Sequence, residues 1–213
     1  MSIKARLAAR GIKEVLHFTT SNGLVGIMSA GSLFSHARLP AERQLSHILQ
    51  VNCSDRSRDQ PFHGFVNLSI SRVNASFFSI ARNRWHATKD LYWCVLAFDA
   101  EILTHEGVLF STTNNAYNET LRASGEPGLE SLFAPTIRQF PTKIIHRPPG
   151  FSDNLPTCSQ AEALYPDSVP IQYLRRVYVP SDDIADEANA QIAVCAPVLS
   201  EQFELVVDPS HFE

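Results

Sequence analysis

No run of 18 apolar residues occurs anywhere in the chain, so no segment reads as a membrane span. The four cysteines (Cys53, Cys94, Cys158 and Cys195) stand far apart. They make neither a CxxC pair nor a Cys/His cluster with zinc spacing, and the pattern reads as reduced thiols in a cytosolic protein. A Gly-rich GxGxxG turn is missing, which argues against a Rossmann mode of dinucleotide binding. There is no internal repeat and no low-complexity tract. Charge is sparse: 19% of residues are charged and the formal net charge is −4, so no global positive field draws the chain to nucleic acid. Any such binding has to come from a local basic patch. The first ten residues, Met1 to Arg10, lack an unbroken apolar stretch, and the expectation is no secretory signal and a cytoplasmic location.

The chain has 213 residues, of which 44% are hydrophobic, enough for one large domain with a sizeable core. We expect a single domain over 1–213 with its core over roughly 12–208. A short helix is predicted over 2–10, ending at Gly11. A strand follows over Val15 to Thr19. A helix is predicted from Asn22 to Ala30, capped by Ser21, with Gly31 past its end. Residues 41–51 have helical potential and 53–63 read as a loop. Further strands are predicted over 65–70, 91–99, 108–111, 175–179 and 203–207. A helix over 182–195 is expected to start at Ser181 and stop before Pro197. Residues 112–160, rich in Asn, Pro, Gly and Thr, show no clear period and read as a long functional loop. Strands and helices do not alternate regularly. The fold class is therefore α+β, not a doubly wound sheet.

Two segments carry chemistry. Along the first strand, His17 and Thr19 point to the same side because the side-chain period is two, with Phe18 turned to the core. Near residue 160, Ser159-Gln160-Ala161 leads into Glu162 and a short apolar run, which puts one carboxylate at a loop–strand junction. Each could equally be structural or merely solvated. Two basic clusters accompany them. Lys143, His146 and Arg147 lie within 141–151, and Arg82, Arg84 and Lys89 surround Trp85. Positive charge beside aromatic rings suits single-stranded nucleic acid, whose exposed bases stack. The plain alternative for each is a solvated charged face with a core tryptophan.

The order of blocks resembles a known family. His-x-Thr sits on an early strand, an amphipathic helix closes with Gly31-Ser32-Leu33, and an Arg-bearing loop and a strand follow. Gln160-Ala161-Glu162-Ala163-Leu164 comes next, with the tail Val169-Pro170-Ile171 to Val179, and Phe110-Ser111 with Asn115-Ala116-Tyr117 makes a weaker third block. This resembles DarT, bacterial toxins that use NAD+ to ADP-ribosylate bases in single-stranded DNA. The resemblance implies an ADP-ribosyltransferase-like fold with mixed, largely antiparallel central sheets and flanking helices. It implies NAD+ as substrate, no metal, a single-stranded DNA or RNA acceptor, and a neutralising antitoxin in a toxin–antitoxin or phage-defence system. His17 and Thr19 would hold the nicotinamide and adjacent ribose, with Asn22 and Ser69 as further NAD+ contacts. Glu162 would be the catalytic glutamate. Arg56 falls near the family's catalytic arginine, and Arg58 is the alternative match. Lys143, His146, Arg147 and Arg84 are the candidates for binding the acceptor strand. The chain departs from the family in carrying Thr20 where His is usual, Gly23 where Asn precedes Leu24, and Asn115 before the Ala-Tyr pair. Those departures leave the acceptor base and polymer open.

The chemistry agrees with these residue types. Breaking the nicotinamide–ribose bond passes through an oxocarbenium-like state, and a nearby carboxylate stabilises it. Arginine suits the NAD+ pyrophosphate. The competing expectations are a protein-modifying ADP-ribosyltransferase or an NAD+ glycohydrolase of the same fold, and a non-catalytic binding domain. An NAD+-dependent enzyme removing a 2′-phosphate from RNA fits less well, for want of basic residues.

Overall fold

A computed structural model describes residues 2–39, 57–87, 90–199 and 202–213. The helix expected over 41–51, together with Cys53, Arg56 and Lys89, lies outside the described residues. So does the Trp85 side chain.

Helix α1 (Ile3–Arg10) starts at Ser2, whose hydroxyl accepts from the Ala5 N–H, and ends on Gly11 at φ +67°. That left-handed conformation favours glycine. Strand β1 (Glu14–Thr20) runs into helix α2 (Ser21–Ala30). The cap of α2 is Thr20 rather than Ser21: the Thr20 hydroxyl accepts from the Gly23 N–H, one residue earlier than expected. Then come β2 (Ser32–Phe34), β3 (Phe65–Ile70), α3 (Ala75–Ile80) and a π-helical turn (Ala81–Trp85). They are followed by β4 (Trp93–Asp99), β5 (Leu109–Ser111), β6 (Arg122–Ser124) and α4 (Gly125–Ser131). The chain continues through β7 (Thr136–Phe140), β8 (Lys143–His146), β9 (Glu162–Pro166) and β10 (Ser168–Pro170). It closes with β11 (Leu174–Val179), α5 (Asp182–Cys195) and β12 (Glu204–Val207). The stretch 112–160 thus departs from its expected disorder of form: it holds three strands and a helix. Ser181 does occupy the cap position of α5, but its side chain makes no capping bond there.

Among the described residues, eight strands form one sheet in the order β12-β11-β4-β1-β3-β9-β5-β6. Every pairing is antiparallel except β11 with β12. β4 is the apolar spine. Its period of two sends Cys94, Leu96 and Phe98 into one core with Val15 and Ile70. Trp93, Val95 and Ala97 go into a second core with Leu16, Phe18 and Phe78. Each fully buried side chain of this size contributes about 1.5–3 kcal/mol, so a continuous apolar strand belongs at the centre. Helices α2 and α5 pack on the first core through Leu24, Ile27, Met28, Ala188 and Ile192. No described helix is long and apolar enough to cross a membrane.

One irregularity positions the site. β1 pairs with β4 along all seven of its residues. With β3 it pairs only at Val15 with Ile70 and Leu16 with Ser69. Beyond those two steps the strands separate, and a cleft opens between them.

Candidate active site

The cleft has a volume of about 570 Å³, within the range of about 300–1,000 Å³ usual for small-ligand sites. His17 and Thr19 of β1, Asn67 and Ser69 of β3, and Glu162 of β9 all line it. β3 puts them there by strict alternation: Val66, Leu68 and Ile70 are buried in the core, so Asn67 and Ser69 face the opening. Glu162 is the first residue of β9, directly opposite Ser69 on one side and Ser111 on the other. The next residue, Ala163, turns into the core.

Glu162 is only 7% exposed. A carboxylate so buried needs hydrogen-bond donors, and two are in place. The Asn115 backbone N–H donates to Oε2 at 2.7 Å and the Asn67 side-chain amide to the same oxygen at 3.2 Å. Behind Asn115, the Arg122 Nε donates to the Asn115 side-chain carbonyl at 2.6 Å, and its Nη2 to the Asn115 backbone carbonyl. The guanidinium lies over the Phe62 ring, 4.6 Å from its centroid. Burial lowers the Arg122 pKa from its ordinary value, and the negative charge of Glu162 opposes that shift.

The loop that delivers Asn115 is braced by its own hydroxyls. Ser111 Oγ donates to the Thr113 carbonyl at 2.9 Å and lies 2.9 Å from Thr120 Oγ1. Thr120 Oγ1 accepts from the Thr113 N–H, and Thr112 Oγ1 from the Leu121 N–H. On the far side of Glu162, the turn before β9 is pinned by Cys158, whose buried thiol donates to Thr113 Oγ1 at 3.3 Å. Gln160 accepts from Gln139 Nε2 at 2.9 Å. Tyr117 lines the cleft mouth, its ring 4.5 Å from that of Phe140. Burial raises the Tyr117 phenol above its ordinary value, against a lowering hydrogen bond with Gln160, so it stays protonated at neutral pH.

His17 Nδ1 lies 3.1 Å from the Asn67 carbonyl. A carbonyl only accepts, so this network assigns the Nδ1–H tautomer. Thr19 packs closely on α2: a Cβ added at Gly23 would collide with Thr19 Oγ1. This explains glycine at that point of α2. Ser69 Oγ accepts from the Asn74 N–H at 3.3 Å, tying β3 to the start of α3.

Of the residues singled out in sequence, His17, Thr19, Ser69, Glu162 and Arg84 therefore share one cleft, and Arg58 lines it as well. Asn22 does not line it; its neighbour Gly23 does. Arg56 is outside the described residues. Lys143 and His146 are exposed on the β7–β8 hairpin and do not line the cleft. Arg147 has a different task. Its guanidinium donates to the carbonyls of Leu155 and Ser152, both at 2.9 Å, and lies over Phe151, 5.2 Å from the ring centroid. It holds the loop 148–157 together. Three residues escaped the sequence reading: Asn67, Arg122 and Asn74. Asn67 carried a detectable signal, a polar residue in register with Ser69 on an otherwise apolar strand. Among the described residues, no group of three or more His, Cys, Asp or Glu is placed to hold a metal ion.

A sheet parted between β1 and β3, with a buried glutamate heading the strand beside β3, is an α+β ADP-ribosyltransferase-like fold. The family model described as DarT, ssDNA thymidine ADP-ribosyltransferase, matches residues 16–210, and the chain belongs to that family. No curated protein matches. Solved structures share the fold. Thermus sp. 2.9 DarT in complex with NAD+ aligns at TM-score 0.62 and 14% identity over 94% of this chain and 97% of that one. The same protein in complex with ADP-ribosylated ssDNA aligns at 0.63 and 15% over 94% and 96%. Thermosipho africanus DarTG in complex with ADP-ribose aligns at 0.65 and 18% over 94% of this chain and 51% of that one, so this chain spans about half its length.

Proposed function

We propose that the cleft binds NAD+ and transfers its ADP-ribose to thymidine in single-stranded DNA, with Glu162 as the catalytic carboxylate. The observation that carries this reading is the anchoring of Glu162. Two donors fix one carboxylate oxygen, Oε2, at the floor of a cleft whose other wall presents His17 and Thr19. Membership of a family of ssDNA thymidine ADP-ribosyltransferases supports it.

The bond from the ribose anomeric carbon to the nicotinamide nitrogen breaks, and nicotinamide leaves as a neutral molecule with the bonding electron pair. Positive charge gathers on the ribose, where the negative charge of Glu162, itself largely buried, stabilises it. The acceptor ring nitrogen supplies the electron pair of the new bond and releases its proton. In thymidine, N1 already carries the sugar, so N3 is the ring nitrogen with a proton to release.

His17, with Nδ1–H given to Asn67, turns the lone pair of Nε2 toward other donors, which suits the nicotinamide amide or a ribose hydroxyl. Thr19 and Ser69 add hydroxyls on the two walls. Arg58, or Arg56 two positions before it in the sequence, supplies the cation for the pyrophosphate and acceptor. Lys143, His146 and Arg84 bind the acceptor strand from the rim.

Unchecked modification of DNA would poison the host, so we assign this chain a toxin role with a neutralising protein partner. NAD+ and DNA are both intracellular substrates, which places the activity in the cytoplasm. Mass spectrometry of single-stranded DNA and RNA oligonucleotides after incubation with NAD+ tests the reading. An ADP-ribose adduct on thymidine with wild type, absent with Glu162→Ala, supports it. Nicotinamide release without an adduct on either polymer points instead to a protein target or a glycohydrolase.

A further inference from the structure

We infer that Arg122 is a positioning residue for this reaction: it sets the Asn115 backbone N–H that holds Glu162. The inference rests on the reading of Glu162 as the catalytic carboxylate.

Oε2 of Glu162 has the Asn115 N–H as its shorter donor, at 2.7 Å. That N–H sits midway along a loop whose ends are tied down by Ser111, Thr112, Thr113 and Thr120. Asn114 closes a turn over Asn115, its carbonyl accepting from the Tyr117 N–H and its side-chain oxygen from the Ala116 N–H, and Arg122 grips Asn115 itself with two bonds. One goes to the Asn115 side-chain carbonyl and one to its main-chain carbonyl. Because guanidinium nitrogens only donate, the first bond also decides which way the amide is flipped. The Asn115 amide nitrogen has no hydrogen-bond partner among the described residues, so nothing else described sets that flip. Arg122 is in turn held in place. It is the first residue of β6, paired with Ser111, and its guanidinium rests on Phe62.

Arg122 does not line the cleft, so it is no substrate contact. Its effect passes through Asn115 to the carboxylate. A planar fork is needed because two carbonyls of one residue have to be gripped together. A lysine would keep the charge and grip one of them.

The experiment compares wild type, Arg122→Met and Arg122→Lys with two readouts. The first is kcat and KM for NAD+ in modification of a single-stranded oligonucleotide. The second is hydrogen exchange of the Asn115 amide, with the Leu96 amide of the central strand as folding control. For Arg122→Met we expect kcat to fall about 10–100-fold with KM for NAD+ within about twofold. Arg122→Lys recovers part of that loss. Asn115 exchange accelerates about tenfold or more while Leu96 stays protected. A kcat within about threefold of wild type in both variants, or a rise in KM with kcat unchanged, overturns the proposal. So does unchanged Asn115 exchange. If wild type leaves single-stranded DNA unmodified, the functional reading falls, and the exchange data alone still decide whether Arg122 sets Asn115.

Discussion

Asn67 and Glu162 lie two residues apart in register on the same face of the β3–β9 ladder, and the Asn67 amide donates to Glu162 Oε2 at 3.2 Å. The same Asn67 offers its main-chain carbonyl to His17. One residue therefore ties the two walls of the cleft at the point where β1 and β3 part. Replacing Asn67 by Ala removes a donor and leaves Oε2 with the Asn115 N–H. Replacing it by Asp sets a like charge against Glu162, which disfavours the ionised form. We expect kcat to fall about tenfold in Asn67→Ala and about 100-fold in Asn67→Asp. In Asn67→Asp the acidic limb of the kcat profile also moves to higher pH, because the two carboxylates resist ionising together. A pH series of nicotinamide release measures both effects. Equal profiles for the two variants would deny the electrostatic coupling.

The helix α4 packs against β6 so closely that only glycine fits at residue 128. A Cβ there would lie 2.7 Å from the Ala123 carbonyl carbon and 3.0 Å from the Phe110 ring. The obstacle is partly backbone, so it cannot rotate away. Gly128→Ala gains helix propensity of up to about 1 kcal/mol and loses about 1–3 kcal/mol to overpacking. The net is a lower melting temperature, by about 2–4 °C for each kcal/mol lost. Calorimetry reads it. Phe110 precedes Ser111, so activity per folded molecule should fall as well. A melting temperature at or above wild type would contradict the packing argument.

How much of this was legible beforehand follows from the kind of force at each place. Glu162 and His17 are legible through the order of blocks that resembles the DarT family, since taken alone each could be structural or solvated. β4 is legible by composition: the eight apolar residues from Leu91 to Phe98, uninterrupted before Asp99, can only be central. The loop 112–120 hid its order, since its geometry is set by hydroxyl-to-backbone bonds among Ser111, Thr112, Thr113 and Thr120 that leave no period. Arg122 hid for a related reason. Its partner lies seven residues back across a loop, and no helical or strand spacing links the two. Strand β7 buries Ile137 and Gln139 alone, too little apolar pattern to read as a strand. Helix α4, Gly-Glu-Pro-Gly-Leu-Glu-Ser, carries two glycines and a proline, which masked it.

A third expectation concerns pH. Arg10 grips Glu130 with two bonds, Nη2 to Oε2 at 2.8 Å and Nε to Oε1 at 3.1 Å, and so joins α1 to α4. The Arg10 hydrogen bond, more than its charge or that of Arg6, holds the Glu130 carboxyl below its ordinary value of 4.5. A group whose folded pKa is depressed stabilises the fold above its unfolded pKa. That contribution is lost as pH falls through the folded value. Wild type should therefore lose stability as pH drops below about 4.5, and Glu130→Gln should lose less over the same interval. Urea unfolding at a series of acidic pH values measures the difference. Parallel pH dependence in the two proteins would remove Glu130 from the acid response.

The two kinds of basic residue on and after β8 separate by their partners. Lys143 and His146 are exposed on the hairpin, whereas Arg147 spends its donors on Leu155, Ser152 and Thr157. A lysine that neutralises one DNA phosphate releases about one counterion, so its loss weakens binding and flattens the salt dependence by about 0.7 for a single strand. Lys143→Ala is expected to do that while leaving nicotinamide release without DNA unchanged. Arg147→Ala frees the loop 148–157 instead, and its signature is a lower melting temperature and easier proteolysis between Pro148 and Thr157. Measuring oligonucleotide affinity across a salt series, beside limited proteolysis, distinguishes the two. A Lys143→Ala protein with the wild-type salt slope would place the acceptor strand elsewhere on the rim, nearer Arg84 and Arg58.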